Sequence, residues 1–142
     1  MKQYSRTILV LLLSSVAAFA TQWVHRELGD LLADADLVVI GQIADASGMT
    51  TPPPNERLAS LRHIWDSQLH ISRILKGNIS TSSVSIVWDE INLDRIPPYQ
   101  PGEMRIWILN AVAGTNKYST SGRPDTVLRT NDLQRVEEQL KK

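Results

Sequence analysis

The sequence feature that most constrains the fold is a long alternation of apolar and polar residues at positions 61–75. Trp65, Leu69 and Ile71 share one parity, whereas most residues of the other parity are polar. Successive side chains of a β-strand point to opposite faces of the sheet, so the alternation predicts one long strand with a buried face and a solvated face. Ile64 interrupts the pattern but leaves most of the alternation intact. The chain is therefore expected to be mainly β.

Shorter apolar runs predict the partner strands. The clearest run, at 36–43, holds an uninterrupted apolar stretch that is typical of a strand buried on both faces. Gly41 lies within this run and predicts a bend or a bulge. The remaining strands are predicted at 84–88, 104–109 and 125–129. The aliphatic side chains in the middle of these runs are predicted to be buried: Val39, Ile71, Ile86 and Ile106.

Two short amphipathic helices are predicted at the ends of the domain. Apolar residues recur at near-helical spacing over residues 22–34. A second helix is predicted after Asn131, which can form a capping box with Gln134, and its apolar face holds Val136. Segments rich in residues that favour turns are predicted to be loops, at 46–58, 89–102 and 116–122.

The start of the sequence predicts export. Basic residues precede a short apolar run, and Ala18 and Ala20 form an A-x-A cleavage pattern immediately before Thr21. A transmembrane anchor is the alternative, but a span needs about 20 apolar residues and this run is shorter. The chain is therefore divided into a signal peptide at 1–20 and a single domain at 21–142. We expect a periplasmic or secreted bacterial protein.

Composition excludes several classes of function. The 15 basic and 15 acidic residues balance, so the chain lacks the positive charge expected of a nucleic-acid binder. It also lacks a basic helix suited to a membrane surface, so no membrane association is expected after cleavage. The absence of cysteine excludes disulfides, a thiol nucleophile and cysteine-based metal centres. A small exported domain without disulfides depends on its own core, and this favours a bacterial periplasmic protein.

Four short patterns, at 35–41, 69–77, 84–87 and 102–109, together resemble small exported bacterial β-barrel domains with an OB-like, netrin-like arrangement. They are more distantly similar to the inhibitory domain of tissue inhibitors of metalloproteinases. The resemblance implies a five-stranded OB-like barrel with a short N-terminal helix and a C-terminal helix, and a binding role. Those inhibitors bind zinc through an N-terminal cysteine. Here the mature chain would begin at Thr21 and contains no cysteine, so inhibition by that mechanism is excluded.

The residues with catalytic or metal-binding chemistry are sparse. His63 and His70 lie seven positions apart on one predicted strand, so a regular strand places them on opposite faces. Only a bulge between them would bring them together. Asp89, Glu90 and Asp94 offer oxygen ligands for calcium, but their spacing does not match an EF-hand and a solvated acidic loop is the simpler interpretation. No metal, no cofactor and no catalytic residue is therefore predicted.

The aromatic residues are the remaining signal. Alternation predicts that Trp65 and Trp88 lie in the core. Trp107 shares a face with Arg105, and Tyr99 lies in a proline-rich segment. Exposed aromatic side chains on an OB-like barrel stack against sugars or bases. Tyr99, Arg105 and Trp107 are therefore the predicted ligand-binding residues.

The function predicted from these observations is that of an exported, non-enzymatic binding or accessory module. Its expected partner is a protein or a glycan of the bacterial envelope. Two alternatives stay open at this point: a small periplasmic hydrolase with a site near His63 and His70, and a structural subunit of an envelope assembly.

Overall fold

The computed structural model describes residues 26–45, 48–50, 62–91, 99–120 and 126–142. Several predictions concern residues outside these ranges. They include the signal peptide with its cleavage site at Ala18, Ala20 and Thr21, the histidine His25, the proline-rich part of the segment 46–58, and the acidic residue Asp94.

Within the described residues, seven β-strands form one sheet, and five of them close into a barrel. The strands are β1 (Leu37–Ile43), β2 (Gly48–Thr50), β3 (Arg62–Lys76), β4 (Ser83–Ile91), β5 (Arg105–Ala111), β6 (Lys117–Ser119) and β7 (Val127–Arg129). The order around the barrel is β1-β3-β4-β6-β5, and β5 pairs with β1 to complete the circle. All neighbours are antiparallel except β4 and β6, which run parallel. β2 extends the sheet beside β3, and β7 lies beside β5.

Alternation along β1 and β5 divides the apolar side chains between two cores. The interior of the barrel holds one set, and the outer face of β1 and β5 holds another beneath two helices. The interior set includes Val39, Trp65, Ile86, Trp88 and Trp107. Since β1 and β5 are covered on both sides, their sequences read as continuous apolar runs.

The part of the chain that the structure describes contains two α-helices, α1 (Leu28–Asp34) and α2 (Leu133–Leu140). Each presents an apolar stripe to the outer core, where Leu31, Leu32 and Val136 are buried. The Nζ of Lys76, at the end of β3, donates hydrogen bonds to the carbonyls of Leu32 at 2.6 Å and Ala33 at 2.8 Å. Because helix C-termini leave carbonyls unpaired and carry partial negative charge, this lysine attaches α1 to the barrel.

Gly41 lies where the β1–β3 ladder changes register, as the bulge prediction requires. A Cβ at this position would lie 2.4 Å from the carbonyl oxygen of His70, so the two backbones approach too closely for a side chain. The extra residue at this shift is Ser72 of β3, which lies between the partners of Ile40 and Gly41, whereas β1 keeps a regular register with β5.

The structure confirms the mainly β class, the five-stranded barrel and both helices. Val39, Ile86 and Ile106 are fully buried as predicted, and Trp65 and Trp88 are core residues. The prediction for Ile71 was wrong: this side chain is only partly buried and packs against the edge of the interior core.

Five predictions about individual elements need correction. The strand β2 falls in the segment predicted to be a loop, and β4 extends to Ile91, so positions 89–91 are strand rather than loop. The segment predicted as a turn at 116–122 contains β6, which is the fifth barrel strand. The predicted fifth strand, β7, instead pairs with β5 beside the barrel. Asn131 does not cap α2, because a 3₁₀ turn at Thr130–Asp132 precedes the helix, whose N-cap is Asp132 without a side-chain hydrogen bond.

Candidate functional site

Tyr99 lies at the end of the barrel where β5 begins. Its ring meets Trp107 edge-on at 5.1 Å and Trp88 edge-on at 5.9 Å, measured between ring centroids. Trp88 in turn stacks on Trp65 at 6.3 Å. Tyr99 is partly exposed and packs against the interior core, so it covers the aromatic side chains beneath it.

Trp107 is entirely buried, with 0 % of its surface exposed. Its indole Nε1 donates a hydrogen bond to the carbonyl of Gly41 at 3.0 Å. A ligand that reached this end of the barrel would therefore touch Tyr99 before Trp107. Trp107 can support such a site from beneath, whereas the ligand-binding role assigned to the three residues stays a prediction.

Arg105 is the polar member of the predicted trio. It is the first residue of β5 and has the same parity as Trp107, so its side chain emerges at the barrel end above the interior core. Its side chain is 20 % exposed and forms an ion pair with Glu103. The Nε of Arg105 is buried and has no hydrogen-bond acceptor among the described residues.

Arg129 is a residue that the sequence did not single out. It lies directly opposite Arg105 in the β5–β7 ladder. A pocket of about 340 Å³ opens between the two strands and the following turn. It is lined by Glu103, Met104, Arg105, Arg129, Thr130 and Asn131. Only the pairing of β5 with β7 unites these residues, because they come from two segments that are distant in the sequence.

A second concave surface, which we call the hydroxyl groove, lies at the opposite end of the barrel. It has a volume of about 420 Å³ and lies between the β3–β4 turn, the outer side of β4 and the β5–β6 loop. All of the described residues that line it are uncharged: Gln68, Asn78, Ile79, Ser80, Thr81, Ser83, Val84, Ser85, Asn116 and Tyr118.

The floor of the hydroxyl groove is apolar and its walls are polar. Ile79 and Tyr118 pack against the interior core and close this end of the barrel. Gln68 donates to the hydroxyl of Ser85 at 2.6 Å across the β3–β4 ladder. Lys117, next to Tyr118, forms an ion pair with Asp66.

Sequence reasoning missed the hydroxyl groove because its members look like ordinary turn and strand residues. The serine- and threonine-rich stretch at 80–85 was the available signal, since alternating serines on an apolar strand mark a solvated face. The lining from the β5–β6 loop had no such signal. It reaches the groove through the parallel pairing of β4 and β6, which is a contact between distant segments.

The ladder between β3 and β4 shows where positions 63 and 70 fall on the sheet. The pairing in this ladder has no register shift along its length. Arg62 lies opposite Ile91 at one end, and His70 lies opposite Ser83 at the other. Positions 63 and 70 therefore fall on opposite sides of the sheet, as expected for a regular strand. Among the described residues, no three His, Asp or Glu side chains come together in the way a metal site requires.

A comparison with known protein families finds no family that matches this chain, and a comparison with curated proteins finds no relative. Within the described ranges, neither helix has the length and apolar character needed to span a membrane.

Proposed function

We propose that this chain is an exported, non-enzymatic binding module with an OB-like barrel, and that its ligand is a neutral glycan of the bacterial envelope. The strand order β1-β3-β4-β6-β5, with β4 parallel to β6, is compatible with an OB-like fold. Oligosaccharide-binding barrels of this kind use the outer face of their second and third strands together with adjoining loops. The equivalent surface here is formed by β3, β4 and the β5–β6 loop.

The observation that carries the proposal is the uncharged lining of the hydroxyl groove. Amides such as Gln68 and Asn116 and hydroxyls such as Ser85 both donate and accept hydrogen bonds, as the hydroxyls of a sugar do. Tyr118 adds an aromatic side chain, whose ring can contact the C–H face of a sugar. A charged ligand would find no opposite charge among the described lining residues to offset the cost of its desolvation. A neutral sugar carries no charge that needs such a partner.

Binding is tested by titrating the purified protein with two neutral oligosaccharides, the tetramer of N-acetylglucosamine and the tetramer of glucose. We expect amide resonances of the hydroxyl groove to shift in ¹⁵N NMR spectra with at least one of them. The double variant Gln68→Ala/Asn116→Ala removes two exposed amides and should weaken binding about tenfold, because each lost hydrogen bond contributes about 0.5–1.5 kcal/mol.

Gln134→Ala is the matched control, because it removes an exposed amide from α2. It should bind as the unsubstituted protein does. The proposal fails if neither oligosaccharide shifts resonances of the groove, or if the double variant binds both as tightly as the control.

Export is tested separately. Expression of the full chain in a Gram-negative host, followed by intact-mass measurement of the periplasmic fraction, should give the mass of residues 21–142. A mass that retains residues 1–20 would contradict cleavage after Ala20.

A further inference from the structure

The pocket between β5 and β7 lies at the end of the barrel away from the hydroxyl groove. It contains two neighbouring arginines that the fold alone does not require. Arg105 on β5 and Arg129 on β7 are direct partners in an antiparallel ladder. Directly opposite side chains on neighbouring strands lie about 4.5–5.5 Å apart at their Cβ atoms, and like charges at this spacing repel each other. We call this arrangement the arginine pair.

Among the described residues, the two guanidiniums of the arginine pair have a single carboxylate partner. Glu103 is the carboxylate that pairs with Arg105. Arg129 is exposed and forms no ion pair with any described residue. The buried Nε of Arg105 also lacks an acceptor among the described residues. The positive charge and the N–H donors of the exposed Arg129 are therefore left for a ligand.

The remaining lining suits an anionic ligand with a small apolar part. Thr130 supplies a hydroxyl and Asn131 an amide, and both can donate hydrogen bonds. Met104 is 39 % exposed at the same pocket and offers a flexible apolar contact. Asp132, the nearest acidic residue in the turn that follows, is directed to Arg135 at 3.7 Å.

We propose that the arginine pair binds a carboxylate of an acidic ligand. A guanidinium presents a planar fork of donors that matches the two oxygens of a carboxylate. The carboxylate of Glu103 already forms an ion pair with Arg105 at this pocket, so a carboxylate is a group that the pocket can hold. The ligand carboxylate would bind Arg129 and would relieve the repulsion between the two guanidiniums. The site is independent of the hydroxyl groove, which lies at the opposite end of the barrel.

The test uses the purified protein and three probes: an acetylated Glu-Ala dipeptide amide, glucuronic acid and inorganic phosphate. The first two distinguish an amino-acid source of the carboxylate from a sugar source. We expect one of them to bind and to shift the Arg105 Nε–H resonance in ¹⁵N NMR spectra. Affinity should fall with added salt, since charge pairs at a partly exposed site are screened.

Arg129→Gln is the decisive variant, because Arg129 is exposed and its replacement leaves the core intact. It should weaken carboxylate binding at least about tenfold, as loss of a charge-assisted hydrogen bond does. Arg129→Lys keeps the charge but lacks the planar fork of donors. Its affinity for the carboxylate should therefore lie between those of the unsubstituted protein and Arg129→Gln. Arg73→Gln is the control for net charge, because Arg73 pairs with Glu137 on α2 instead of lining the pocket.

A structural role for Arg129 predicts a different outcome. If Arg129 only supported the fold, Arg129→Gln would lower the melting temperature. If Arg129 instead serves ligand binding, the substitution removes the repulsion between the two arginines, and the melting temperature should stay the same or rise. The proposal is overturned if neither carboxylate probe binds, if phosphate binds more tightly than both, or if Arg129→Gln and Arg73→Gln bind equally well. A failure of glycan binding at the hydroxyl groove would leave these measurements unaffected.

Discussion

Replacement of two buried tryptophans by phenylalanine tests how much the hydrogen bond from Trp107 to Gly41 of β1 stabilises the barrel. Trp107 and Trp88 are equally buried, with 0 % and 1 % of their surfaces exposed. The indole of Trp107 donates to the Gly41 carbonyl at 3.0 Å, whereas the indole N–H of Trp88 has no acceptor among the described residues. The two substitutions therefore remove the same side-chain volume. Among the described contacts, however, only Trp107→Phe removes a hydrogen bond of the indole N–H.

The magnitudes follow from that difference. The cavity left by the smaller ring costs about 1 kcal/mol at either site, so this contribution cancels in the comparison. Trp107→Phe also deprives the buried carbonyl of Gly41 of its donor, at a cost of about 1–3 kcal/mol. Trp88→Phe removes a buried donor that has no acceptor among the described residues, so it recovers part of the desolvation penalty of that donor. We therefore expect Trp107→Phe to be less stable than Trp88→Phe by about 2 kcal/mol or more.

Urea denaturation followed by far-ultraviolet circular dichroism measures this difference without relying on tryptophan fluorescence. Thermal melts should show a gap of roughly 5–10 °C for a domain of this size. Trp65→Phe is the control, because Trp65 also has an indole N–H without an acceptor among the described residues, and it should behave like Trp88→Phe. Equal stability of the Trp107 and Trp88 variants would refute the assignment of the Gly41 hydrogen bond as stabilising.

Three further predictions concern the core, the helix attachment and metal ions. Ile86→Ala should lower the free energy of unfolding by about 2–4 kcal/mol, and Ile71→Ala by about 1 kcal/mol, because only the first side chain is fully buried; equal losses in urea melts would contradict the register of β3. Lys76→Met should cost about 1 kcal/mol by freeing two carbonyls at the end of α1, whereas Lys141→Met, at an exposed lysine, should cost nothing measurable. Excess EDTA should leave the melting temperature unchanged, and a drop that calcium or zinc restores would reveal a bound metal.

Much of the fold could be predicted because its signals are local. The alternation at 61–75 reflects which side of one strand meets the core, and β3 follows it from Arg62 to Lys76. The apolar run in β1 likewise reflects burial on both faces, by the interior core on one side and the helices on the other. Such patterns depend on each strand's own surroundings, so they can be recognised in the sequence.

The closure of the barrel could not be predicted in this way. The barrel needs β6 to link β4 to β5, yet Lys117–Ser119 is short, polar and set among turn residues. Its strand conformation depends on pairing with β4 and β5, and neither partner can be read from the three residues themselves. The more regular segment Val127–Arg129 was the better candidate by propensity, but tertiary pairing placed it beside the barrel.

The candidate sites show the same division. Arg105 could be selected from the sequence, since it shares the parity of a strand with Trp107. Its pairing with Arg129 depends on the ladder between β5 and β7, and the hydroxyl groove depends on the parallel contact of β4 with β6. The sequence by itself determined the longer strands β1, β3, β4 and β5, the two helices and their apolar faces, because burial and backbone preference act residue by residue. The tertiary structure alone decided which segments became neighbours, because pairing between distant strands depends on how the whole barrel closes.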